Sequence, residues 1–125
     1  MDSKELITQA MELYKLGRFA DAISIYDKIV ELFPNNKDAY YLRGVANKDS
    51  GEYHRALDDF NSALSMDDND YRAYCNKAII CERIGAYSEA VQAYRLFLKY
   101  APPQYIDFVK FAEYRINELE ESSGM

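Results

Sequence analysis

Apolar residues recur along the chain at the three- and four-residue spacing that places them on one face of an α-helix. Residues 3–36 hold two such stretches, which are separated by Gly17 and closed by Pro34. Glycine readily adopts the left-handed backbone that ends many helices, and proline cannot continue a helix. The pattern therefore predicts two helices joined by a tight turn. The residues expected to face inward on the first helix are Leu6, Ala10 and Leu13.

The same pattern returns at a fixed interval of 34 residues. A glycine, then an aromatic residue two positions on and an alanine five positions on, begins at Gly17, Gly51 and Gly85. A small residue recurs at the same interval in the preceding helix, at Ala10, Gly44, Ala78 and Ala112. Small residues let two helix backbones approach closely while aromatic rings fill the space beside them. The sequence thus predicts repeated helix pairs, with boundaries at 3–36, 37–70 and 71–104.

The pattern begins a fourth time in residues 105–121 and is not completed. Phe108 and Ala112 match the first helix of the preceding repeat, but Leu119 stands where the turn glycine is expected. An open-ended stack of repeats needs a terminal helix that is apolar inward and charged outward. We predict a C-terminal capping helix over 105–121 and a single domain over 1–125.

Charge and cysteine usage exclude several classes of protein. The 125-residue chain carries a net charge of −6, whereas nucleic-acid binding needs a clustered basic face. No secretory leader pattern is recognisable, and no apolar run approaches the ~20 residues of a membrane-spanning helix. Cys75 and Cys81 would lie about 9 Å apart along one helix, too far for a disulfide. Free thiols are typical of the reducing cytoplasm, which is the location we expect.

The sequence lacks patterns typical of enzymes, cofactor sites and metal sites. It has no glycine-rich phosphate loop and no Ser/His/Asp set, and its single histidine, His54, is predicted at an exposed helix start. The spacing of the two cysteines and the lack of a histidine near them argue against a metal. We expect no catalytic activity, no cofactor and no metal.

These features together resemble the tetratricopeptide repeat (TPR) family, whose 34-residue helix–turn–helix repeats carry the same small, glycine, aromatic, alanine and proline positions. The resemblance covers residues 3–104 and extends into the capping helix. Asp68 replaces the usual closing proline of the middle repeat, and Ile29 and Phe97 replace small residues. The resemblance implies an all-α, right-handed α-solenoid of three repeats plus a C-terminal capping helix.

The resemblance also implies a function as a non-catalytic scaffold or adaptor. In such proteins the first helix of each repeat lines a concave groove that accepts a peptide or helix of a partner protein. The groove positions of this chain are Ile7, Met11, Tyr14, Tyr41, Val45, Lys48, Arg72, Cys75, Asn76, Ile79 and Arg83. Val45 and Ile79 could equally be simple packing residues between neighbouring repeats.

Charges around the mapped groove indicate what kind of segment it would accept. Five basic residues outnumber three acidic ones, and these are Lys4, Lys15, Lys48, Arg72 and Arg83 against Asp38, Asp49 and Glu82. The expected partner segment has apolar anchors and some acidic residues.

One TPR subclass grips the acidic C-terminal tails of chaperones with lysine, asparagine and arginine side chains. The corresponding positions here are Ile7, Met11, Leu42, Arg72 and Asn76. Only Arg72 keeps a suitable charge, so we expect the partner not to be a chaperone tail.

Self-association is the alternative function. Ile106, Val109 and Ile116 give the predicted capping helix an apolar side beyond the one that covers the preceding helix. That side could dock on a second copy in a weak homo-oligomer, or fold into the groove of its own chain.

Overall fold

The computed structural model describes residues 1–123, with the side chains described to residue 122. This part of the chain forms α-helices and one short 3₁₀ turn, Pro103–Tyr105, and contains no strand. The helices are α1 (Ser3–Lys15), α2 (Phe19–Leu32), α3 (Lys37–Asp49), α4 (Tyr53–Met66), α5 (Tyr71–Arg83), α6 (Tyr87–Tyr100) and α7 (Ile106–Ser123). The all-α, helical-repeat class that the sequence predicts is confirmed. None of the described helices is both long and apolar enough to cross a membrane.

The first helix of each repeat begins at a side-chain cap. The carboxylate of Asp2 accepts a hydrogen bond from the backbone N–H of Glu5, at 2.9 Å. Asn36 caps α3 in the same way, at 3.1 Å from the Ala39 nitrogen, and Asp70 caps α5. Each cap satisfies a backbone N–H that has no partner inside its helix. The short polar residues before α1, α3 and α5 therefore fix where those helices start.

The three turn glycines close their helices with the same hydrogen bonds. Gly17 has φ +77°, a backbone conformation that costs glycine little. It lets the Arg18 nitrogen reach back to the Leu13 oxygen at 2.9 Å, and equivalent bonds of 2.8 Å follow Gly51 and Gly85. This is the Schellman arrangement of a helix end. The periodic glycine motif thus encodes one turn geometry three times.

The chain divides into two compact units, an N-terminal unit, Met1–Asp67, and a C-terminal unit that begins at Asp68. The N-terminal unit holds the first predicted repeat and both helices of the second, and the C-terminal unit holds both helices of the third repeat and the capping helix. A single domain over 1–125 stays a prediction, and its last two residues, 124 and 125, lie outside the described residues.

In the N-terminal unit, α2 packs against both α1 and α3, and α3 packs against α4. The most deeply buried side chains come from the predicted apolar stripes and include Ala10, Ala22, Tyr26, Ile29, Ala39 and Phe60. A Cβ atom on Gly44 would lie 2.9 Å from the Phe60 ring. The small residue at this position of the repeat is therefore required by the ring that packs on it.

In the C-terminal unit, α6 packs between α5 and α7. Tyr94 and Phe97 of α6 are buried, and Tyr74 of α5 stacks on Tyr100 with ring centroids 6.0 Å apart. The inner side of α7 consists of Ala112, Ile116 and Leu119, all buried.

One expectation for the capping helix is wrong. Ile116 is only 7% exposed, so it belongs to the inner side of α7 and not to an outward apolar side. Phe108 matches Tyr74 in register but is 54% exposed, whereas Tyr74 is 9% exposed. The difference arises because α6 covers Tyr74, while no described helix covers the equivalent side of α7.

Candidate protein-interaction site

The N-terminal unit carries six of the residues that the sequence assigns to a partner-binding groove. They lie on α1 and α3 and are Ile7, Met11, Tyr14, Tyr41, Val45 and Lys48. Met11 is 37% exposed, and the others are partly exposed. We call this set the α1/α3 face. It is an apolar surface reachable from solvent, with one lysine at its end.

A side-chain hydrogen bond ties the two helices of this face together. The Tyr14 hydroxyl of α1 donates to the Asp49 carboxylate at the end of α3. This bond, together with partial burial, raises the pKa of Tyr14 to about 12. The neutral tyrosine is therefore held in place through the physiological pH range, and its ring also packs 5.4 Å from Phe19. Asp49, which the sequence places among the groove charges, serves this internal bond.

Tyr41 and Ile7 are anchored by the core beneath them. The Tyr41 ring meets Phe60 edge to face at 5.6 Å, a favourable geometry for two aromatic rings. Ile7 packs against the buried cluster around Ala10 and Tyr26. These residues therefore both support the core and expose part of their surface.

The C-terminal unit carries the other five predicted groove residues, all on α5: Arg72, Cys75, Asn76, Ile79 and Arg83. Cys75 is only 8% exposed, so its thiol offers little surface. The Asn76 amide donates to the Arg72 carbonyl of its own helix at 3.0 Å, and Arg72 lies 3.5 Å from Asp70. Ile79 is partly exposed and Arg83 is exposed.

Glu82, predicted among the acidic groove residues, joins three helices of the C-terminal unit. Its carboxylate accepts hydrogen bonds from the Arg115 guanidinium of α7, with Nε 3.0 Å from Oε1, and from the Tyr94 hydroxyl of α6. Burial opposes the charged form, but the bonds from Arg115 and Tyr94 outweigh it and lower the pKa of Glu82. Glu82 therefore holds α7 in place and is not available to a partner.

The lowered pKa of Glu82 predicts a loss of stability in acid. A carboxyl whose pKa lies below its ordinary value of 4.5 stabilises the fold above that value. This stabilisation is lost as the pH falls through the lowered pKa. In urea unfolding between pH 7 and pH 3, the wild type should exceed Glu82→Gln in stability at pH 7, and the gap should shrink in acid. Glu113→Gln, an exposed carboxyl on α7, is the matched control. A gap that stays constant over this range would contradict the assignment.

The N-terminal unit also contains an ionic network that the hydrophobic pattern does not predict. The Arg43 guanidinium of α3 donates to Asp59 of α4 at 2.7 Å and to Asp27 of α2 at 2.9 Å. The Asn47 amide donates to the second oxygen of Asp59 at 2.9 Å. Asp59 and Asn47 are each 4% exposed. The network ties α3 to α2 and α4, so it fixes the helix that carries Tyr41 and Val45.

The feature of the sequence that could have indicated this network is the spacing of the two aspartates from Arg43. Asp27 and Asp59 lie 16 residues before and after Arg43. Asp27 therefore falls on the second helix of the preceding repeat, and Asp59 falls on the second helix of Arg43's own repeat. A cleft beside the network is lined in part by Arg55 and Asp58. Among the described residues no group of three or more histidine, cysteine or acidic side chains has the arrangement of a metal site.

Two curated proteins align with most of this chain. Human serine/threonine-protein phosphatase 5 is 29% identical over 100 residues, which is 80% of this chain and 20% of that protein. The translocon at the outer membrane of chloroplasts 64 of Pisum sativum is 32% identical over 100 residues, 80% of this chain and 16% of that protein. The chain therefore spans about a fifth or less of the length of these relatives.

Solved structures show the same fold. The Yersinia enterocolitica type III secretion chaperone SycD, in complex with a peptide of the translocator YopD, superposes with a TM-score of 0.90 at 16% identity. The match covers 96% of this chain and 93% of SycD. The family model for the tetratricopeptide repeat matches residues 7–47 and 48–105. The chain belongs to the tetratricopeptide repeat family.

Proposed function

We propose that this protein is an adaptor that binds a peptide or helical segment of a partner protein on the α1/α3 face. The observation that carries the proposal is the set of large apolar side chains, reachable from solvent, on two helices that a hydrogen bond ties together. Met11, Tyr14, Tyr41 and Val45 supply area for apolar anchors. Methionine adapts to varied shapes, and tyrosine combines a large apolar ring with a polar tip.

The face is organised before any partner arrives. Tyr14 is held by Asp49, and Tyr41 is held by Phe60. Side chains that are already fixed lose little conformational entropy on binding, so more of the contact energy remains as affinity. The mechanism of the adaptor is this rigid apolar surface, and no chemical step is involved.

Protein binding in a similar fold supports the proposal. SycD, which shares the fold of this chain, is seen in complex with a peptide of the translocator YopD. We infer a segment of another protein as the partner here as well, without carrying over the identity of that peptide.

Charges at the α1/α3 face favour a segment that includes acidic residues. Lys4 and Lys15 of α1 are exposed, and Lys48 lies at the end of α3. Asp38 is exposed at the start of α3, while Asp49 is engaged by Tyr14. Three lysines therefore lie beside two carboxylates, and this small excess of positive charge favours acidic groups of a partner near the apolar centre.

A chaperone C-terminal tail is not the partner that we propose. Ile7, Met11 and Leu42 stand where that TPR subclass needs polar side chains, and none of them can bind a carboxylate. Asn76 is bonded to its own helix, and Arg72 lies beside Asp70. We likewise propose no catalytic function, no cofactor and no nucleic acid.

We further propose a cytoplasmic location. Cys75 and Cys81 are buried and are not joined in a disulfide, and reduced thiols are typical of reducing compartments. In the C-terminal unit, Ile79 and Arg83 would make contacts of their own with a partner, since both are reachable from solvent.

A peptide selection tests the binding assignment. A phage-displayed library of random 16-residue peptides would be selected on the wild-type protein, and the best peptide synthesised and titrated by calorimetry. We expect Met11→Glu to weaken its binding about tenfold or more, since a charge at the centre of an apolar contact must be desolvated. Val45→Glu should act in the same direction.

The matched control is Leu32→Glu, which makes a similar change on α2 at a side chain that is 65% exposed. We expect Leu32→Glu to leave the affinity unchanged, with circular dichroism checking that all variants fold. Equal affinities for Met11→Glu and the wild type would contradict the proposed site.

A further inference from the structure

The terminal helix α7 has a second apolar side, away from the one that packs on α6. Phe108, Phe111 and Tyr114 are 54%, 41% and 57% exposed. They follow each other at three-residue spacing and so share one side of the helix. We call these three residues the α7 aromatic face. It is separate from Ala112, Ile116 and Leu119, which are buried on the inner side.

The repeat register identifies what packs on this side of a first helix. In α5 the positions of Phe108 and Phe111 are held by Tyr74 and Lys77. Tyr74 stacks on Tyr100 of α6, and both Tyr74 and Lys77 line a cleft together with residues of α6. In a complete repeat this side is therefore covered by the second helix of that repeat.

In α7 the same side is covered by no helix of residues 1–123. The Phe111 and Tyr94 rings meet edge to face with centroids 6.0 Å apart, and the Phe108 ring lies 6.3 Å from Tyr105. The position of Lys77 has become phenylalanine, so the side is more apolar than its counterpart in α5. An aromatic side that no described helix covers, at the place where the second helix of a repeat packs, has the shape and chemistry of a helix-docking surface.

The charges around the face select the kind of helix. Asp107 lies four residues before Phe111, and Glu118 lies four residues after Tyr114, so both carboxylates border the face. Glu121 lies seven residues after Tyr114 on the same side, and Lys110 is the opposing charge. Arg115 does not offset them, since Glu82 already engages it. Three carboxylates against one lysine give an acidic border.

We propose that the α7 aromatic face binds an amphipathic helix of a partner protein with basic residues along its edges, in the place of a second helix of a fourth repeat. A second copy of α7 fits less well because it would bring Asp107 and Glu118 against an equally acidic border. The proposal does not rest on the α1/α3 face, and the two surfaces bind different segments.

Designed peptides test this inference directly. The probe is an end-capped 18-residue amphipathic helix with leucine and alanine on one side and lysine along both edges. Its controls are the same peptide with glutamate at the edges and a scrambled peptide of identical composition. Fluorescence anisotropy would measure the binding of each to the full chain. We expect the lysine probe to bind at least tenfold more tightly than either control.

Protein variants locate the contact. Phe108→Glu should weaken binding of the lysine probe at least tenfold, and the milder Phe108→Ser should weaken it in the same direction. The double variant Asp107→Asn/Glu118→Gln should reduce the preference for lysine over glutamate edges. Met11→Glu on α1 should leave this probe unaffected, which separates the inference from the proposed function of the α1/α3 face.

Three results would overturn the proposal. The scrambled peptide could bind as tightly as the probe, or both Phe108 variants could bind the probe like the wild type. Sedimentation equilibrium could also show a wild-type dimer that Phe108→Ser dissociates, which would assign the face to a second copy. A monomer at every tested concentration, together with loss of probe binding in both Phe108 variants, would support it.

Discussion

Replacing Arg43 with methionine is expected to lower the free energy of unfolding by about 3–5 kcal/mol, the range for breaking a buried ion pair. Asp59, its principal partner, is 4% exposed. Burial raises the pKa of Asp59 even though Arg43 opposes that shift. Without the guanidinium, the Asp59 carboxylate keeps the Asn47 amide at 2.9 Å and loses the charge that partly offsets its burial. The loss of stability thus comes mainly from the buried Asp59 carboxylate that has no cation beside it, and less from the lost attraction between Arg43 and Asp59.

Urea unfolding at pH 7, followed by circular dichroism, measures this effect. The control is Asp27→Asn, which removes the other ion pair of Arg43 at a side chain that is 59% exposed. An exposed pair contributes about 0–1 kcal/mol, so the control should stay near the wild type. The double variant Arg43→Met/Asp59→Leu should recover much of the loss, since it removes the unpaired charge. Equal losses for Arg43→Met and Asp27→Asn would refute this account of the network.

Replacing Phe60 with alanine is expected to lower the free energy of unfolding by about 3–5 kcal/mol, the second large effect. The Phe60 side chain is fully buried. Its ring fills the space left by Gly44 and meets Tyr41 at 5.6 Å. The backbone of α3 has no side chain at Gly44 to fill the resulting cavity, and α3 and α4 are held in place by the Arg43 network.

Phe33→Ala supplies the comparison, since Phe33 is 40% exposed and its truncation opens no enclosed cavity. Phe33→Ala is expected to lower the free energy of unfolding by less than about 1 kcal/mol. Phe60→Ala should also weaken peptide binding at the α1/α3 face at temperatures where it remains folded, because Tyr41 loses its support. A stability loss for Phe60→Ala no larger than for Phe33→Ala would show that the core is not organised around this ring.

Most of the fold follows from local sequence rules. The 34-residue register, the turn glycines and the caps at Asp2, Asn36 and Asp70 each act within a few residues. Local signals of this kind can be recognised without knowledge of the tertiary structure, and each is supported by its recurrence in the other repeats. The order of the helices could therefore be predicted.

The contacts between helices could not be predicted with the same precision. Nothing in the local sequence distinguishes Arg43 from the other polar residues of α3, although its guanidinium binds aspartates on two other helices. Glu82 reads as a groove charge, although Arg115 of α7 engages it 33 residues away. Periodicity shows which side of a helix is apolar, but not which long polar side chains meet across helices.

The environment of α7 shows the same limit of periodicity. The sequence predicts an outward place for Ile116, which the structure buries. Phe108 matches Tyr74 in register but is exposed where Tyr74 is buried, because burial depends on which neighbouring helix is present. The apolar side left without a helix is the one that we propose binds a basic amphipathic helix.

The most direct test of the central claim is an NMR titration of the full chain with the peptide selected on it. Backbone amide and methyl shifts would be followed as the peptide is added. The account predicts the largest changes at Met11, Tyr41 and Val45 of α1 and α3, with little change at Leu32 of α2. Changes concentrated on α2 and α4, with α1 and α3 unaffected, would contradict the claim that the α1/α3 face is the partner-binding surface.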